Sequence, residues 1–302
     1  MSSVAFETDR CIEIVGPPGA PVIVVLGGIS SSRHVTESPE NPEPGWWSIF
    51  VGAGKTIDTR RFRVASIDYH ASPGNEFSLS CSDQAIALCR SLDAEGIPRV
   101  KAVVGASFGG TVALALGALE PERAEQLIVY GASHESAPIA GAHRLLQRKV
   151  VELGLSAGRG REALAIARGM AMTTYATADS FADRFGESSP RERSSSIDSF
   201  LLQEGERFAA RCTPERFLDL SRSLDLDQID PRNVRTPTTL IGVEEDGLVP
   251  ISQLRLLAEL IGERCTLETV SSRHGHDAFL NDAEVIAPIV KRLLESCLRA
   301  PS

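Results

Sequence analysis

Ser107 lies in Gly105-Ala106-Ser107-Phe108-Gly109, the Gly-x-Ser-x-Gly spacing that presents a serine hydroxyl as a nucleophile on a sharp turn. A hydroxyl alone is a poor nucleophile. It needs a base to take its proton, and the base needs a carboxylate to orient it. The chain carries candidates for both, downstream and in that order. Glu244-Glu245-Asp246 follow one apolar run, and His274 and His276 follow the next. The chain has six histidines, so two in a single loop is a concentration that marks it. Asp246 opens an Asp-Gly-Leu-Val-Pro turn suited to carrying one carboxylate to a strand end, while the two glutamates read as solvated charges. Spacing leaves His274 and His276 both open. No His, Cys or Asp cluster has the spacing of metal ligands, so no metal site is expected.

Such residues act together only if strands end beside one another. Val100 to Val104 reads as a buried strand, and Gly110 to Leu119, small and apolar, as a buried helix after the turn. Gly105 and Gly109 leave room where a Cβ would clash, and the N–H of Phe108, at the helix start, is a candidate oxyanion donor. Val22 to Leu26 reads as a central strand ending in Gly27-Gly28-Ile29-Ser30, and the N–H of Ile29 is the candidate second donor. Further strands are expected near 10–15, 62–67, 126–130, 238–243 and 265–270, and helices near 82–92, 251–261 and 283–298. Alternating strands and helices imply an α/β fold with a mostly parallel sheet. The alternation breaks between about 140 and 226, where the sequence is helical with polar faces. We expect a core of 10–139 plus 227–302 and a helical cap of 140–226 over the strand ends. Trp46 and Trp47, in an irregular loop over 36–56, are expected to anchor that loop to the core.

The chain has 302 residues, 42% hydrophobic and 24% charged, with net charge −9. That balance speaks against a nucleic-acid or anionic-membrane surface. Six scattered cysteines without a C-x-x-C pair read as free thiols. Neither a signal peptide nor a membrane span is legible, so a cytoplasmic location is expected.

Together with these motifs, Gly45-Trp46-Trp47, Val51 to Lys55, Leu145 to Lys149, Ala167 to Tyr175, Gln203 to Phe208, Ser223 to Leu226 and Gly275-His276-Asp277-Ala278-Phe279-Leu280 resemble the homoserine O-acyltransferases of the α/β-hydrolase fold (MetX type). The resemblance covers most of the chain, and its cap segments are more specific than the elbow. It implies Ser107, Asp246 and His276 as a catalytic triad. It further implies Arg168 and Asp277 as the groups that hold the carboxylate and amino group of homoserine, Tyr175 as a pocket residue, and Ser30 as a small hydroxyl residue beside the oxyanion loop. Acyl-CoA is implied as co-substrate with no bound cofactor, and a homodimer through the cap is expected. Two departures stand out: a short region before the Val22 strand, which implies missing edge strands, and Phe108 where methionine is usual. Because Gly-Leu-Val-Pro after Asp246 contains no arginine, acetyl is expected over succinyl as the acyl group. Serine stays open as acceptor, and an esterase with the same triad is the alternative. Arg159 and Arg161 are candidates for contacting CoA.

Overall fold

A computed structural model describes residues 11–299 apart from 72–77, 188 and 227–228. In chain order the first elements are β1 (Ile12–Val15), β2 (Val22–Leu26), β3 (Val51–Gly52), β4 (Ile57–Asp58), β5 (Arg63–Ile67), α1 (Cys81–Ala94), β6 (Ala102–Ala106), α2 (Phe108–Leu119) and β7 (Leu127–Tyr130). Five helices follow with no intervening strand among the described residues: α3 (Pro138–Ser156), α4 (Gly160–Tyr175), α5 (Ala178–Phe185), α6 (Pro190–Ala209) and α7 (Pro214–Leu226). The sheet then resumes with β8 (Thr238–Val243), α8 (Ile251–Ile261), β9 (Cys265–Val270), α9 (Ala278–Asn281) and α10 (Ala283–Arg299). This is a mainly parallel α/β architecture with an inserted helical cap.

The main sheet has the order β1-β5-β2-β6-β7-β8-β9, with β1 the one antiparallel member among the described strands. β-Branched runs such as Val22-Ile23-Val24-Val25 suit strands covered on both faces, and residues 23–26 are buried. Helices α1, α2 and α8 cover one face. On the other face, α10 and the Trp47–Phe50 segment do so. Short polar devices start some of the helices. Ser80 and Asp83 cap α1 reciprocally, and Ser189 and Glu192 do the same for α6 before Pro190.

From β2 the chain moves to β5 on one side, and from β6 to β7 on the other. Between the carboxyl ends of β2 and β6, connections therefore leave in opposite directions, which opens a crevice. Register sets what borders it. Leu26 pairs with Gly105, Ala106 with Tyr130, Tyr130 with Ile241, and Val243 with Val270. Ser107 and the loops holding Gly27–Ile29, Asp246 and His276 thus all leave one edge of the sheet.

β6 runs Ala102–Ala106, two residues later than the apolar run suggests. Val100 forms an isolated bridge with Ala124, and Gly105 continues the strand. The glycine is needed for close approach, not for a turn. A Cβ there would stand 2.4 Å from the Gly109 carbonyl oxygen. Gly109 is under the same constraint from Leu26, whose carbonyl oxygen would lie 2.4 Å from an added Cβ. Backbone cannot step aside as a side chain can. Gly109→Ala is therefore expected to cost about 3 kcal/mol, the upper end for overpacking. Gly28→Ala, with nothing within 4 Å of the new methyl, should stay within about 0.5 kcal/mol. Denaturant midpoints of the two variants check this.

The cap has a small core of its own, including Val151, Leu164, Ala167, Phe208 and Phe217, against which Ile29 of the loop after β2 also packs. Arg148 bridges α3 to Asp225 of α7 at 2.7 Å, and Arg144 reaches the same carboxylate. At the far end of α4, the Thr177 hydroxyl donates to the carbonyl of Arg273 at 2.5 Å. The cap is thus fastened on one side of the crevice to the loop after β2, and on the other to the loop after β9.

Candidate active site

Ser107 is the one non-glycine residue with positive φ among the described residues, at φ 53° and ψ −119°. Its N–H donates to Tyr130 O at 2.9 Å, and its carbonyl accepts from Gly110 and Thr111 in the first turn of α2. These bonds hold the strained conformation and leave the hydroxyl free to meet His276. Ser107 Oγ lies 2.9 Å from His276 Nε2, and His276 Nδ1 lies 2.7 Å from Asp246 Oδ2. The other carboxylate oxygen, Oδ1, accepts the N–H groups of Leu248 and Val249 at 2.8 and 3.0 Å, so the Asp-Gly-Leu-Val turn orients its own side chain.

The three groups that sequence spacing left in competition have other places. Glu245 accepts from the Ser271 hydroxyl and from the Ser272 N–H. Glu244 is exposed. His274 precedes the short 3-10 turn that begins at Gly275, whose φ of 53° aims the next side chain inward. Gly131 packs directly on the pair. A Cβ there would stand 3.4 Å from His276 Cε1 and 3.6 Å from Asp246 Oδ2.

Asp246 and His276 are both 5% exposed. Burial on its own would depress the imidazole, but the Asp246 carboxylate outweighs it and leaves His276 above the ordinary histidine value. Burial raises the Asp277 carboxyl above its usual range, opposed by His276 and Arg168. Among the described residues the Asp277 carboxylate accepts no hydrogen bond and has no ion pair. Arg168 likewise has no carboxylate partner. Its guanidinium lies over the rings of Tyr175 and Phe208, at 5.4 and 5.3 Å. Tyr175 in turn lies beside the His276 ring, with centroids 5.8 Å apart.

These side chains border one cavity of about 270 Å³ that includes Ser107, His276, Asp277, Arg168, Tyr175, Ile29 and Ser30. The N–H groups of Ile29 and Phe108 find no acceptor among the described residues. The loop carrying Ile29 is pinned by Gly109 N–H and Tyr69 O–H, both donating to Gly27 O.

Two lining residues, Arg144 and Arg211, carry no signal in the sequence that sets them apart. Trp46 and Trp47 divide the work expected of them as a pair. Trp47 is buried and donates its indole N–H to Phe279 O at 2.8 Å, while Trp46 walls the cavity. Arg144, Gln147 and Arg211 also line it, from the cap. The loop after Asp246 has no arginine, as noted, but the cap brings three to the cavity, which removes the basis for preferring acetyl. Arg159 and Arg161 are not among the lining residues. They sit at the start of α4, where Arg159 pairs with Glu162, about two turns from Arg168. Among the described residues no three His, Cys, Asp or Glu side chains group as metal ligands. No described helix is long and apolar enough to cross a membrane.

Residues 21–283 match the α/β hydrolase fold family. A homoserine O-succinyltransferase of Xanthomonas campestris pv. campestris is 36% identical over 289 residues, which span 94% of this chain and 78% of that protein. The chain belongs to the α/β-hydrolase family and is related to its homoserine and serine O-acyltransferases. An L-serine/homoserine O-acetyltransferase of Streptomyces lavendulae is 31% identical, covering 90% of this chain and 87% of the relative. Among solved structures, homoserine O-acetyltransferase from Bacillus anthracis superposes with a TM-score of 0.82 at 19% identity, covering 94% and 91% of the two chains. That likeness concerns the fold. The protein is an enzyme of the acyltransferase type, and its relatives differ in both acyl donor and acceptor.

Proposed function

We propose that this α/β-hydrolase family enzyme transfers an acyl group from acyl-CoA to the side-chain hydroxyl of homoserine or serine, with succinyl the preferred acyl group. The observation that carries the reading is a Ser107–His276–Asp246 relay in a cavity that also holds the cation of Arg168 and the anion of Asp277, neither of them in an ion pair among the described residues. A plain esterase has no use for that pair. An amino acid does, because its carboxylate suits the planar guanidinium and its ammonium suits the buried carboxylate.

Ser107 Oγ attacks the thioester carbonyl carbon as its proton moves to His276 Nε2. The C–S bond breaks, the thiolate leaves with that proton, and the acyl group stays on Ser107. The acceptor hydroxyl then gives its proton to Nε2, its oxygen attacks the acyl carbon, and Ser107 recovers its proton as the O-acyl amino acid departs. In both tetrahedral states the oxygen is held by the N–H groups of Ile29 and Phe108. The cap excludes water that would hydrolyse the acyl-serine. Arg168 and Arg211, neither in an ion pair among the described residues, face the single carboxylate of Asp277, while Arg144 is held by Asp225; the net positive charge suits an acyl donor that carries negative charge. The Xanthomonas relative's name agrees with that choice.

The deciding assay offers succinyl-CoA and acetyl-CoA against homoserine and serine, following free thiol and identifying the product by mass. Thiol release indifferent to the amino acid would sink the transferase reading and favour the esterase. Arg168→Lys keeps the charge and loses the fork. It should raise KM for the amino acid about tenfold or more while changing the half-reaction with acyl-CoA little. A comparable effect on both half-reactions would count against the assigned role.

The homodimer expected from the resemblance has a surface to use. Ile139, Leu146 and Leu153 of α3 recur every seven residues and are 55%, 56% and 72% exposed. Leu146→Glu should shift sedimentation from dimer to monomer. A wild type that sediments as a monomer contradicts the dimer.

A further inference from the structure

We infer that acyl-CoA reaches Ser107 along the groove between the loop after β2 and the α6–α7 turn, where Arg211 and Arg216 hold its phosphates. The inference rests on the acyl-CoA reading above and adds the donor's path, which neither the motifs nor the relatives indicate.

The groove has a volume of about 460 Å³. Ser32, Trp46 and Asp68 lie on one side of it, and Arg211, Cys212 and Arg216 on the other. It adjoins the Ser107 cavity, since Ile29, Ser30, Ser31, Trp46 and Arg211 border both. A thioester at Ser107 would leave past the loop after β2, with the Trp46 indole as a flat wall for the apolar part of the arm. That wall is rigid. Trp46 stacks on Trp47 with centroids 5.3 Å apart, and its N–H donates to Ser32 O at 2.9 Å.

The charges agree with the path. Asp68 is the one carboxylate among the described lining residues, and Arg33 already holds it, through its N–H at 2.9 Å and its guanidinium at 3.6 Å. The His34 ring is held by Glu13 and by the carbonyl of Glu43. Arg211 and Arg216 have no ion pair among the described residues, so two guanidinium charges stay uncompensated on a chain of net charge −9. Diphosphate and phosphate groups are what such forks bind best.

The opposite side of the cap has a second opening, onto Asp277. It is lined by Asp183, Glu204 and Asp277. Of its two arginines, Arg273 is paired with Asp183 and Arg184 lies 3.9 Å above the Phe200 ring. Among the described lining residues three carboxylates outnumber two guanidinium groups, one of which is already ion-paired, so a polyanion meets net negative charge there.

The test compares acyl-CoA with the same acyl group on N-acetylcysteamine, which has the thioester but no phosphates. In Arg211→Gln and Arg216→Gln, the ratio of kcat/KM for acyl-CoA to that for the short thioester should fall at least about tenfold, the loss of a charge-assisted hydrogen bond. An unmoved ratio overturns the assignment, whether both constants hold or both fall together. A second measurement needs no turnover. Burial pushes the Cys212 and Cys265 thiols alike to about 11, and each thiol's alkylation without CoA serves as its own reference. CoA should slow alkylation of Cys212, located by mass spectrometry, and leave Cys265 on β9 unaffected. Equal rates with and without CoA would also overturn the groove. If the wild type turns over neither thioester, the acyltransfer reading fails, and Cys212 protection alone then decides whether CoA binds here.

Discussion

Ser107→Ala is expected to lower acyl transfer by about 10⁴- to 10⁶-fold, the range seen when the nucleophile of a serine triad is removed. The burst of free thiol that the wild type gives with acyl-CoA alone should vanish with it. A protein that kept its burst would place the acyl group on another residue and end the covalent account. The same position makes a separate prediction about stability. At φ 53° a side chain is strained, at a cost of about 1–3 kcal/mol. Alanine keeps that strain and glycine removes it, though glycine gives back about 0.5–1 kcal/mol in chain entropy. Ser107→Gly should therefore be the more stable of the two inactive variants, melting about 2 °C higher for each kcal/mol gained. Identical melting temperatures would mean that the turn stores no more strain than the roughly 0.5–1 kcal/mol that glycine gives back.

The strain also explains which features of the site can be read from a chain of letters. A Gly-x-Ser-x-Gly turn after an apolar run is a local signal, because the glycines exist to admit neighbouring backbone. Gly109 answers to Leu26, and Gly105 to Gly109. Asp246 and His276 are legible for a similar reason. Each stands shortly after an apolar strand, and strand ends are where a parallel sheet gathers its loops. The choice of His276 over His274 was not local. It depends on the positive φ of Gly275, and only the family resemblance carried that information in the sequence. The limits of β6 misled because a glycine inside a strand looks like the end of one.

The cap is where reading along the chain fails most. Arg144, Arg168 and Arg211 come from α3, α4 and the end of α6, each in a segment rich in exposed charge. By itself each would pass for a solvated helix residue. What separates them from Arg159 is the fold of the cap over the strand ends, a non-local fact. The two tryptophans show the same limit. Adjacent in sequence, one serves the core and the other the cavity wall.

Asp246→Asn carries the second large effect and tests the electrostatics of the site as well as its geometry. Asparagine retains an oxygen for the N–H groups of Leu248 and Val249, so the turn should survive. Its amide then faces His276 Nδ1 and donates to it. The imidazole proton is pushed to Nε2, the atom that must accept from Ser107, and the base is lost. Activity should fall by about 10³- to 10⁴-fold. The pH dependence should change as well. Catalysis needs the neutral imidazole, so the wild-type rate falls as pH drops through the His276 value, which lies above that of an ordinary histidine because the Asp246 carboxylate overcomes burial. Without the carboxylate, burial dominates, and the acid limb of the residual kcat/KM should move to lower pH. Stability follows the opposite limb. A histidine raised by its partner contributes stability that is fully present below its unfolded value and is lost as pH rises through its folded one. The difference in melting temperature between wild type and variant should therefore be larger at pH 5.5 than at pH 9. An acid limb that stays in place after the substitution would mean that Asp246 does not set the proton affinity of His276.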